Sequence, residues 1–383
     1  MKSSFKLFRV AGIDVGIHYS WFFIFVFFAW TLAEGYYPSQ FAGWSTATYW
    51  IAGIVSSLMI FISVLIHELT HSFVARARGI PVHSITLFIL GGVSNLEEEP
   101  QKPLAEFVMA IVGPGSSLVL AAIFLVIARF AGSVNAGNPV LDVIYYLGII
   151  NLYLGIFNLL PGFPLDGGRV LRSIIWGATN DLKKATNVAA TVGRVIGWLF
   201  IAAGVFFLFR YGSLFNGLWL AFIGWFLMSA ADASRKEIAI RERLSHVKIR
   251  DVMSLKIPTI TPETTVQDLV TGIFRKEHDR AVPVCMNNQL MGIATITDIK
   301  KVPQEKWSAT PVKDIMTSQN LKTVLPDDNL NTAFKLITAH DINQVIVKEN
   351  DKCAGLLSRA DILRYLQVSQ EMGMKPPEGN AQA

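Results

Sequence analysis

The chain has 383 residues, 52% of them hydrophobic and 16% charged, with a mean hydropathy of +0.41 and a net charge of +5. The charge is uneven, because 24 charged residues fall within 1–234 and 39 within the shorter remainder. This contrast indicates a multi-span membrane part followed by a soluble part, and the modest net charge argues against nucleic-acid binding. The two cysteines, both in the soluble part, argue against a disulfide framework and a Cys-type zinc site, and they fit a reducing compartment.

Six apolar runs in the first part are each about long enough to cross a bilayer as a helix. They lie near His18–Ala33, Ala47–Ala75, Ala105–Phe130, Val140–Leu160, Val188–Phe209 and Leu214–Ala231. Lys and Arg occupy alternate connecting segments, whereas Glu34–Thr46 and Gly132–Pro139 contain neither. The positive-inside rule therefore predicts a multi-pass protein of the cell membrane with both termini in the cytoplasm.

The second run carries three ionisable residues, His67, Glu68 and His71. Two histidines four residues apart face the same side of a helix and can bind one divalent metal ion. Glu68 lies near the same face, where it can take a proton from an activated water. The predicted topology places His67 about 13 Å from the cytoplasmic end of this helix. Ionisable groups at such a depth are costly, so they predict a functional site rather than a polar cluster that only joins helices.

The segment between the second and third runs, Ile80–Leu96, is too short to cross the bilayer and too apolar for a solvated loop. Its β-branched residues and the pair Gly91-Gly92 predict short strands. We expect a re-entrant or membrane-edge hairpin on the cytoplasmic side.

The fourth run ends in Asn158–Arg169, where two prolines and three glycines break the helix. Asp166 in this segment is the natural source of a third metal ligand. Two histidines and one carboxylate leave the fourth position of a tetrahedral zinc open for water, as a catalytic site needs. The alternatives are a helix-capping role for Asp166 and a simple interhelical hydrogen bond for Asn158.

A polar connector, Arg235–His246, is expected to be helical and to lead into a two-copy repeat. Gly292–Asp298 recurs as Gly355–Asp361 at an offset of 63 residues. Two copies of this length, each with short strands and amphipathic helices, predict a paired α/β module.

The expected fold class is a polytopic α-helical membrane domain followed by a cytoplasmic α/β module. The expected boundaries are 1–234 for the membrane domain, 235–246 for the linker, 247–366 for the module with copies at 247–303 and 310–366, and 367–383 for a disordered tail.

These motifs together resemble the site-2 protease family of intramembrane zinc metalloproteases, over about residues 10–230. The matching segments are His67-Glu68-x-x-His71, Asn158-x-x-Pro161-x-x-Pro164-Leu165-Asp166-Gly167-Gly168, Gly12–His18 and Gly113-Pro114. Residues 247–366 resemble a tandem pair of cystathionine-β-synthase (CBS) domains, which in many proteins bind adenosine nucleotides between the two copies.

The first resemblance implies hydrolysis of peptide bonds within or near transmembrane helices of other membrane proteins, after local unwinding. It implies one zinc ion and these roles: ligands His67, His71 and Asp166, general base Glu68, and an oxyanion-stabilising or peptide-aligning Asn158. Strand addition by Ile85–Leu90 is a physical route to holding an unwound peptide.

The second resemblance implies phosphate and ribose contacts at two Ser/Thr-x-x-Asp positions, Thr295 with Asp298 and Ser358 with Asp361. The regulator would be AMP, ATP or a related adenosyl ligand, and the CBS pair is a candidate homodimer contact. Helix capping without a ligand is the alternative for both pairs.

Two other interpretations of the whole chain stay open on the sequence alone. One is a nucleotide-gated metal-ion transporter, since CBS pairs also regulate transporters, although mid-span carboxylates are nearly absent away from Glu68 and Asp166. The other is an inactive homologue that keeps its metal.

Overall fold

The computed structural model describes the chain except for residues 1–4, 90, 97–99, 132–137, 256–257, 275–280, 287–288, 320, 351 and 373–383. The chain forms two compact units, Met1–Lys236 and Glu237–Ala383. The first is mainly helical, and the second contains short strands and helices.

Five helices of the described chain are long and apolar enough to cross a membrane. They are α3 Thr46–Ala77, α4 Pro103–Ala131, α5 Pro139–Asn158, α7 Leu182–Tyr211 and α8 Leu214–Ser245. In the most apolar 18-residue stretch of each helix, between 17% and 39% is buried inside the protein. Most of that apolar surface therefore faces outward, as lipid contact requires. Each corresponds to one of the expected spans, and the end of α8 confirms that the connector after Ser234 is helical.

The first expected span is helical but irregular. Helix α1, Ser20–Thr31, continues through a π turn at Leu32–Tyr36 into the short α2, Tyr37–Gln40. A π turn fits one extra residue into a helical turn, so α1 alone is shorter than a bilayer requires. The whole helical path extends past the expected end at Ala33.

A four-stranded sheet lies beside the helices. Its strands are β1 Phe5–Val10, β2 Ile13–Ile17, β3 Val82–Phe88 and β4 Gly91–Leu96, in the spatial order β1-β2-β3-β4. Strands β3 and β4 form an antiparallel hairpin, as expected, whereas β1 and β2 were not predicted. Ile13 and Ile85 are fully buried against Ala75 of α3 and Met109 of α4, which fixes the sheet on these two helices.

The sheet order corrects the expectation that Ile85–Leu90 receives a peptide by strand addition. Strand β3 is already paired on both sides, in parallel with β2 and antiparallel with β4, and Leu90 lies outside the described residues. In the part of the chain that the structure describes, β4 is the edge strand on this side of the sheet.

Helix α6, Asp166–Thr179, was expected only in the alternative in which Asp166 caps a helix. Asp166 is instead the first residue of α6, and the N-cap position belongs to Leu165. Helix α6 is strongly amphipathic, and its buried face consists of Gly167, Gly168, Arg172 and Ser173. The helix packs against α4 and α7 and so carries Asp166 into the helix bundle.

The second unit holds two α/β copies. The first contains α9 Val266–Leu269, β5 Ala281–Met286, β6 Gln289–Thr295 and α10 Ile296–Ile299. The second contains β7 Thr323–Val324, α11 Leu330–Ala339, β8 Gln344–Glu349, β9 Lys352–Ser358 and α12 Arg359–Glu371. Helix α12 corrects the start of the expected disordered tail, since 367–371 is helical; residues 373–383 lie outside the described part.

Candidate metal centre

Three side chains from two helices meet at one point. His67 and His71 lie one turn apart on α3, and Asp166 is the first residue of α6. The Nε2 atoms of the two histidines are 3.2 Å apart, and Oδ2 of Asp166 lies 3.0 Å from Nε2 of His67 and 3.2 Å from Nε2 of His71. The sequence-predicted ligands are therefore brought together with one ligand atom each toward a common centre.

The separations fit a zinc ion. Ligand atoms about 2.0–2.1 Å from a tetrahedral zinc lie about 3.3 Å from one another. Nδ1 of His71 donates to the carbonyl of Met109 at 2.6 Å, and a neutral ring then turns the lone pair of Nε2 toward the centre. Nδ1 of His67 shares a hydrogen bond of 3.0 Å with Oγ of Ser117. Outer hydrogen bonds of this kind orient metal-binding imidazoles, and a cation relieves the repulsion among the inner lone pairs.

Helix α4 approaches the ligands so closely that only glycine fits at position 113. A Cβ atom built on Gly113 would lie 2.7 Å from Nε2 of His67 and closer still to Nε2 of His71. Gly113 thus provides the steric clearance that the candidate metal site needs.

Glu68 faces the same cavity as the three candidate ligands. The cavity has a volume of about 660 Å³ and is lined by α3, by the edge strand β4 and by Asp166. Oγ of Ser94 on β4 donates to Oε2 of Glu68 at 2.8 Å. A Cβ atom on Gly92 would meet Cγ of Glu68 at 2.5 Å, so β4 also needs glycine where it crosses this side chain.

Three candidate metal ligands beside a carboxylate, two of them on a membrane-length helix, are the arrangement expected of a membrane metallopeptidase. The sequence profile of "Peptidase family M50" matches residues 55–140 and 127–200. A protein of Mycobacterium tuberculosis named as the zinc metalloprotease Rip3 is 33% identical over 371 residues, covering 96% of this chain and 94% of that protein. The chain belongs to peptidase family M50. It is a zinc metalloendopeptidase of the site-2 protease type, and its apolar helices make it a membrane protein.

A second named relative supports the M50 assignment over nearly the whole length, and one solved structure is similar over part of the chain. A protein of Synechocystis named as zinc metalloprotease sll0528 is 34% identical over 373 residues, covering 96% of this chain and 97% of its own. The solved site-2 protease from Methanocaldococcus jannaschii is 28% identical, with a TM-score of 0.42, and covers 60% of this chain and 94% of its own. The CBS profile matches residues 249–305 and 312–368, so the M50 chain carries a tandem CBS pair.

Asn158, the last residue of α5, also lines the cavity that Glu68 and the candidate ligands face. Its Nδ2 donates to the carbonyl of Leu154 at 3.0 Å. An amide nitrogen carries two donor hydrogens, and this bond uses one of them. The geometry is thus compatible with both expectations for this residue, a hydrogen bond that fixes the helix and a contact to substrate.

A buried ion pair, which no spacing in the sequence marks, anchors α6. Glu106 of α4 and Arg172 of α6 are 1% and 5% exposed, and Nε of Arg172 donates to Oε1 of Glu106 at 2.7 Å. The guanidinium of Arg172 also lies 5.1 Å from the ring centre of Phe163. Because α6 begins with Asp166, this pair helps to set the position of the Asp166 carboxylate.

The four CBS residues singled out from the sequence all form capping boxes. The backbone N–H of Asp298 donates to Oγ1 of Thr295 at 3.3 Å, and the backbone N–H of Asp361 donates to Oγ of Ser358 at 3.1 Å. In both pairs the aspartate carboxylate accepts from the backbone N–H of the capping residue. Asp298 also accepts from Nζ of Lys301 at 2.9 Å. The capping interpretation is therefore satisfied at both positions, and a ligand contact would be an additional role.

One of these positions opens into a cavity between the two CBS copies. It has a volume of about 530 Å³ and is lined by Thr295 and Asp298 from the first copy. Three basic residues, Lys300, Lys322 and His340, also line it. Basic side chains beside hydroxyl and carboxylate groups suit a phosphorylated ribose.

Both cysteines lie in the CBS unit and are free thiols. Burial raises the pKa of Cys285, and burial together with the nearby Cys285 thiol raises the pKa of Cys353. A raised pKa keeps a thiol protonated at neutral pH, which disfavours both metal binding and nucleophilic reactivity.

Proposed function

We propose that the chain hydrolyses peptide bonds within or near transmembrane segments of other membrane proteins. The observation that carries the proposal is the ligand triangle of His67, His71 and Asp166 beside Glu68. Both histidines and Glu68 lie on α3, a helix that exposes most of its apolar surface. Such groups are costly at membrane depth, so their convergence on one cavity favours chemistry within the bilayer.

In the proposed mechanism, His67, His71 and Asp166 hold one zinc ion. When bound, zinc supplies Lewis acidity that polarises the scissile carbonyl and lets water lose a proton near neutral pH. Glu68 takes that proton on its carboxylate and later returns it to the leaving amine. The outer hydrogen bonds of both histidines keep the imidazoles oriented while the proton moves.

We propose that Asn158 contacts the reacting peptide. Its position on the cavity wall, and its second amide hydrogen, suit a donor to the developing oxyanion or to the peptide backbone. Asn158→Ala should then lower kcat by about 100-fold, the usual effect of removing one such donor, with zinc content unchanged.

The substrate we propose is a membrane helix that has unwound locally. The peptide bonds of an intact helix are engaged in helical hydrogen bonds and shielded by side chains. An extended peptide can instead pair with an exposed strand edge, and β4 is the edge that lines the cavity beside Glu68. A peptide paired there would pass the proposed base.

We also propose that both termini and the CBS pair face the cytoplasm. The proposal rests on the loops, since Glu34–Thr46 and Gly132–Pro139 lack Lys and Arg whereas the alternate segments contain them.

Adenine nucleotide at the CBS pair is the proposed regulator. The cavity lined by Thr295 and Asp298 supports it, because Lys300 and Lys322 place positive charge in its lining, where a phosphate could bind. A homodimer through the CBS pair belongs to the same proposal, and light scattering of the purified protein tests it. Nucleotide titration in the protease assay tests the regulation, and a rate that ATP and AMP leave unchanged counts against it.

The experiment that tests the proposed chemistry compares the purified protein with Glu68→Gln. The probe is a single-span reporter with a Gly pair inside its apolar segment and a tag at each end. The wild type should cleave it and lose activity to a zinc chelator, whereas Glu68→Gln should be inactive with its zinc retained. Normal cleavage by zinc-loaded Glu68→Gln would exclude the mechanism.

A further inference from the structure

Two serines and Glu68 form a short hydrogen-bonded chain between α3 and β4. Oγ of Ser72 donates to Oγ of Ser94 at 3.2 Å, and Oγ of Ser94 donates to Oε2 of Glu68 at 2.8 Å. Ser72 is fully buried and lies one helical turn after Glu68, on the same face of α3. Ser94 lies on the edge strand β4.

The direction of these two hydrogen bonds determines which hydroxyl group donates and which accepts. A serine hydroxyl has one hydrogen, so Ser94 can give it to Glu68 while its lone pair accepts from Ser72. Glu68 is then held at Oε2, which leaves Oε1 as the oxygen able to accept a proton from elsewhere. A glutamate side chain has three rotatable bonds, and a hydrogen bond to one carboxylate oxygen restricts rotation about them. The carboxylate is then already oriented before the proton is transferred.

Strand β4 also limits where the Glu68 side chain can go. The backbone of Gly92 passes so close that an added Cβ would meet Cγ of Glu68 at 2.5 Å and Oε1 at 3.3 Å. The carboxylate is therefore confined sterically by Gly92 and held through a hydrogen bond by Ser94. Both constraints come from one strand.

We propose that Ser94 is a positioning residue for Glu68, and that Ser72 orients the Ser94 hydroxyl for that task. This inference rests on the proposed role of Glu68 as the base. Because β4 is also the edge available to an extended peptide, the strand that receives the peptide is the strand that sets the base. Seating of a peptide on the edge and orientation of the carboxylate are thereby linked through Ser94.

In a purely structural role, Ser94 would only hold the β3–β4 hairpin against α3. The structural role and the positioning role predict different kinetics. Loss of the structural role would lower the melting temperature and raise KM, because the edge strand would no longer be held at the cavity. Loss of positioning would lower kcat, because the peptide and the zinc stay bound while the base is misoriented.

The experiment measures kcat, KM, zinc content and melting temperature for Ser94→Ala with the single-span reporter. Removing a hydrogen bond to a charged group should lower kcat about 10- to 100-fold, with KM within about twofold of the wild type and zinc stoichiometric. Ser94→Thr keeps the hydroxyl in a residue suited to a strand and should restore most of kcat.

Two further variants keep the test decisive if Ser94→Ala folds poorly. Ser72→Ala leaves Ser94 in place and should lower kcat by less than about tenfold, since only a neutral hydrogen bond is lost. Ser84→Ala removes a hydroxyl from the neighbouring strand β3 that is not bonded to Glu68, and should behave as the wild type.

The inference is overturned if Ser94→Ala keeps the wild-type kcat, or if it changes only KM, zinc content or melting temperature. It is also overturned if Ser94→Thr is as slow as Ser94→Ala. Glu68→Gln separates this failure from that of the proposed function. An inactive Glu68→Gln beside a normal Ser94→Ala removes only the positioning role, whereas an active, zinc-loaded Glu68→Gln removes the base itself.

Discussion

Gly113→Ala should weaken zinc binding more than about 100-fold although it adds a single methyl group to a helix. The new Cβ would lie 2.7 Å from Nε2 of His67 and closer to Nε2 of His71. Non-bonded carbon and nitrogen atoms rest at about 3.5 Å, so His67 must retreat by about 0.8 Å and His71 by more. Metal sites hold ligand distances to about 0.2 Å, and the required shift exceeds that several-fold.

The size of the loss can be bounded from below. Disturbing only the outer hydrogen bonds of metal ligands costs about 10- to 100-fold in affinity. Displacing two ligands directly should exceed the upper figure, which corresponds to about 3 kcal/mol. Competition with a chelator series on the purified protein in detergent measures this affinity, and elemental analysis gives the zinc content.

Gly115→Ala is the matched control for the same helix. A Cβ at this position meets no atom within 4 Å, so the variant should bind zinc as the wild type does. Thermal unfolding of both variants shows whether the helix bundle is intact. Stoichiometric zinc in Gly113→Ala, with an affinity within about threefold of the wild type, would refute the steric reasoning.

Three other predictions follow from the ion pair, the CBS cavity and the topology. Glu106→Gln leaves the buried Arg172 without its anion and should lower the free energy of unfolding by about 3–5 kcal/mol. A lower melting temperature in detergent would show this loss, and an unchanged melting temperature would contradict it. Asp298→Ala should weaken ATP or AMP binding to the full chain at least about tenfold, because it removes a hydrogen bond between a charged group and the ribose. Calorimetry measures this affinity, and equal binding would assign Asp298 to capping alone. In a cysteine-free background and intact cells, an impermeant maleimide should label Ser39→Cys at once and Ser308→Cys only after permeabilisation; the reverse pattern would invert the predicted topology.

The long helices could be predicted because lipid exposure demands continuous apolar runs, which are visible in a single sequence. The meeting of His67 and His71 on one face of a helix could be predicted from helical periodicity alone. Asp166 could be predicted because it is an isolated carboxylate in a segment that breaks the helix. The structure brings it to within 3.2 Å of both histidines. These features depend on local sequence and on composition.

The supporting residues could not be predicted, because they depend on contacts between distant segments. Ser94 reaches Glu68 from a strand 26 residues away, and Arg172 reaches Glu106 across 66 residues. No spacing in the sequence marks such pairs. The one available signal was Gly113-Pro114, whose glycine proves to face the ligand atoms.

The sheet shows the same limit. The hairpin of β3 and β4 could be predicted from β-branched residues and the glycine pair, but the parallel pairing of β2 with β3 could not. That pairing decides which strand has a free edge. It therefore moves the proposed peptide site from Ile85–Leu90 to β4.

The most direct test of the central claim is mass spectrometry of the products that the purified protein makes from the single-span reporter. We expect new termini inside the apolar segment for the wild type, and none for Glu68→Gln that carries the same amount of zinc. Cleavage only in the soluble flanks of the reporter, or identical products from both proteins, would contradict it.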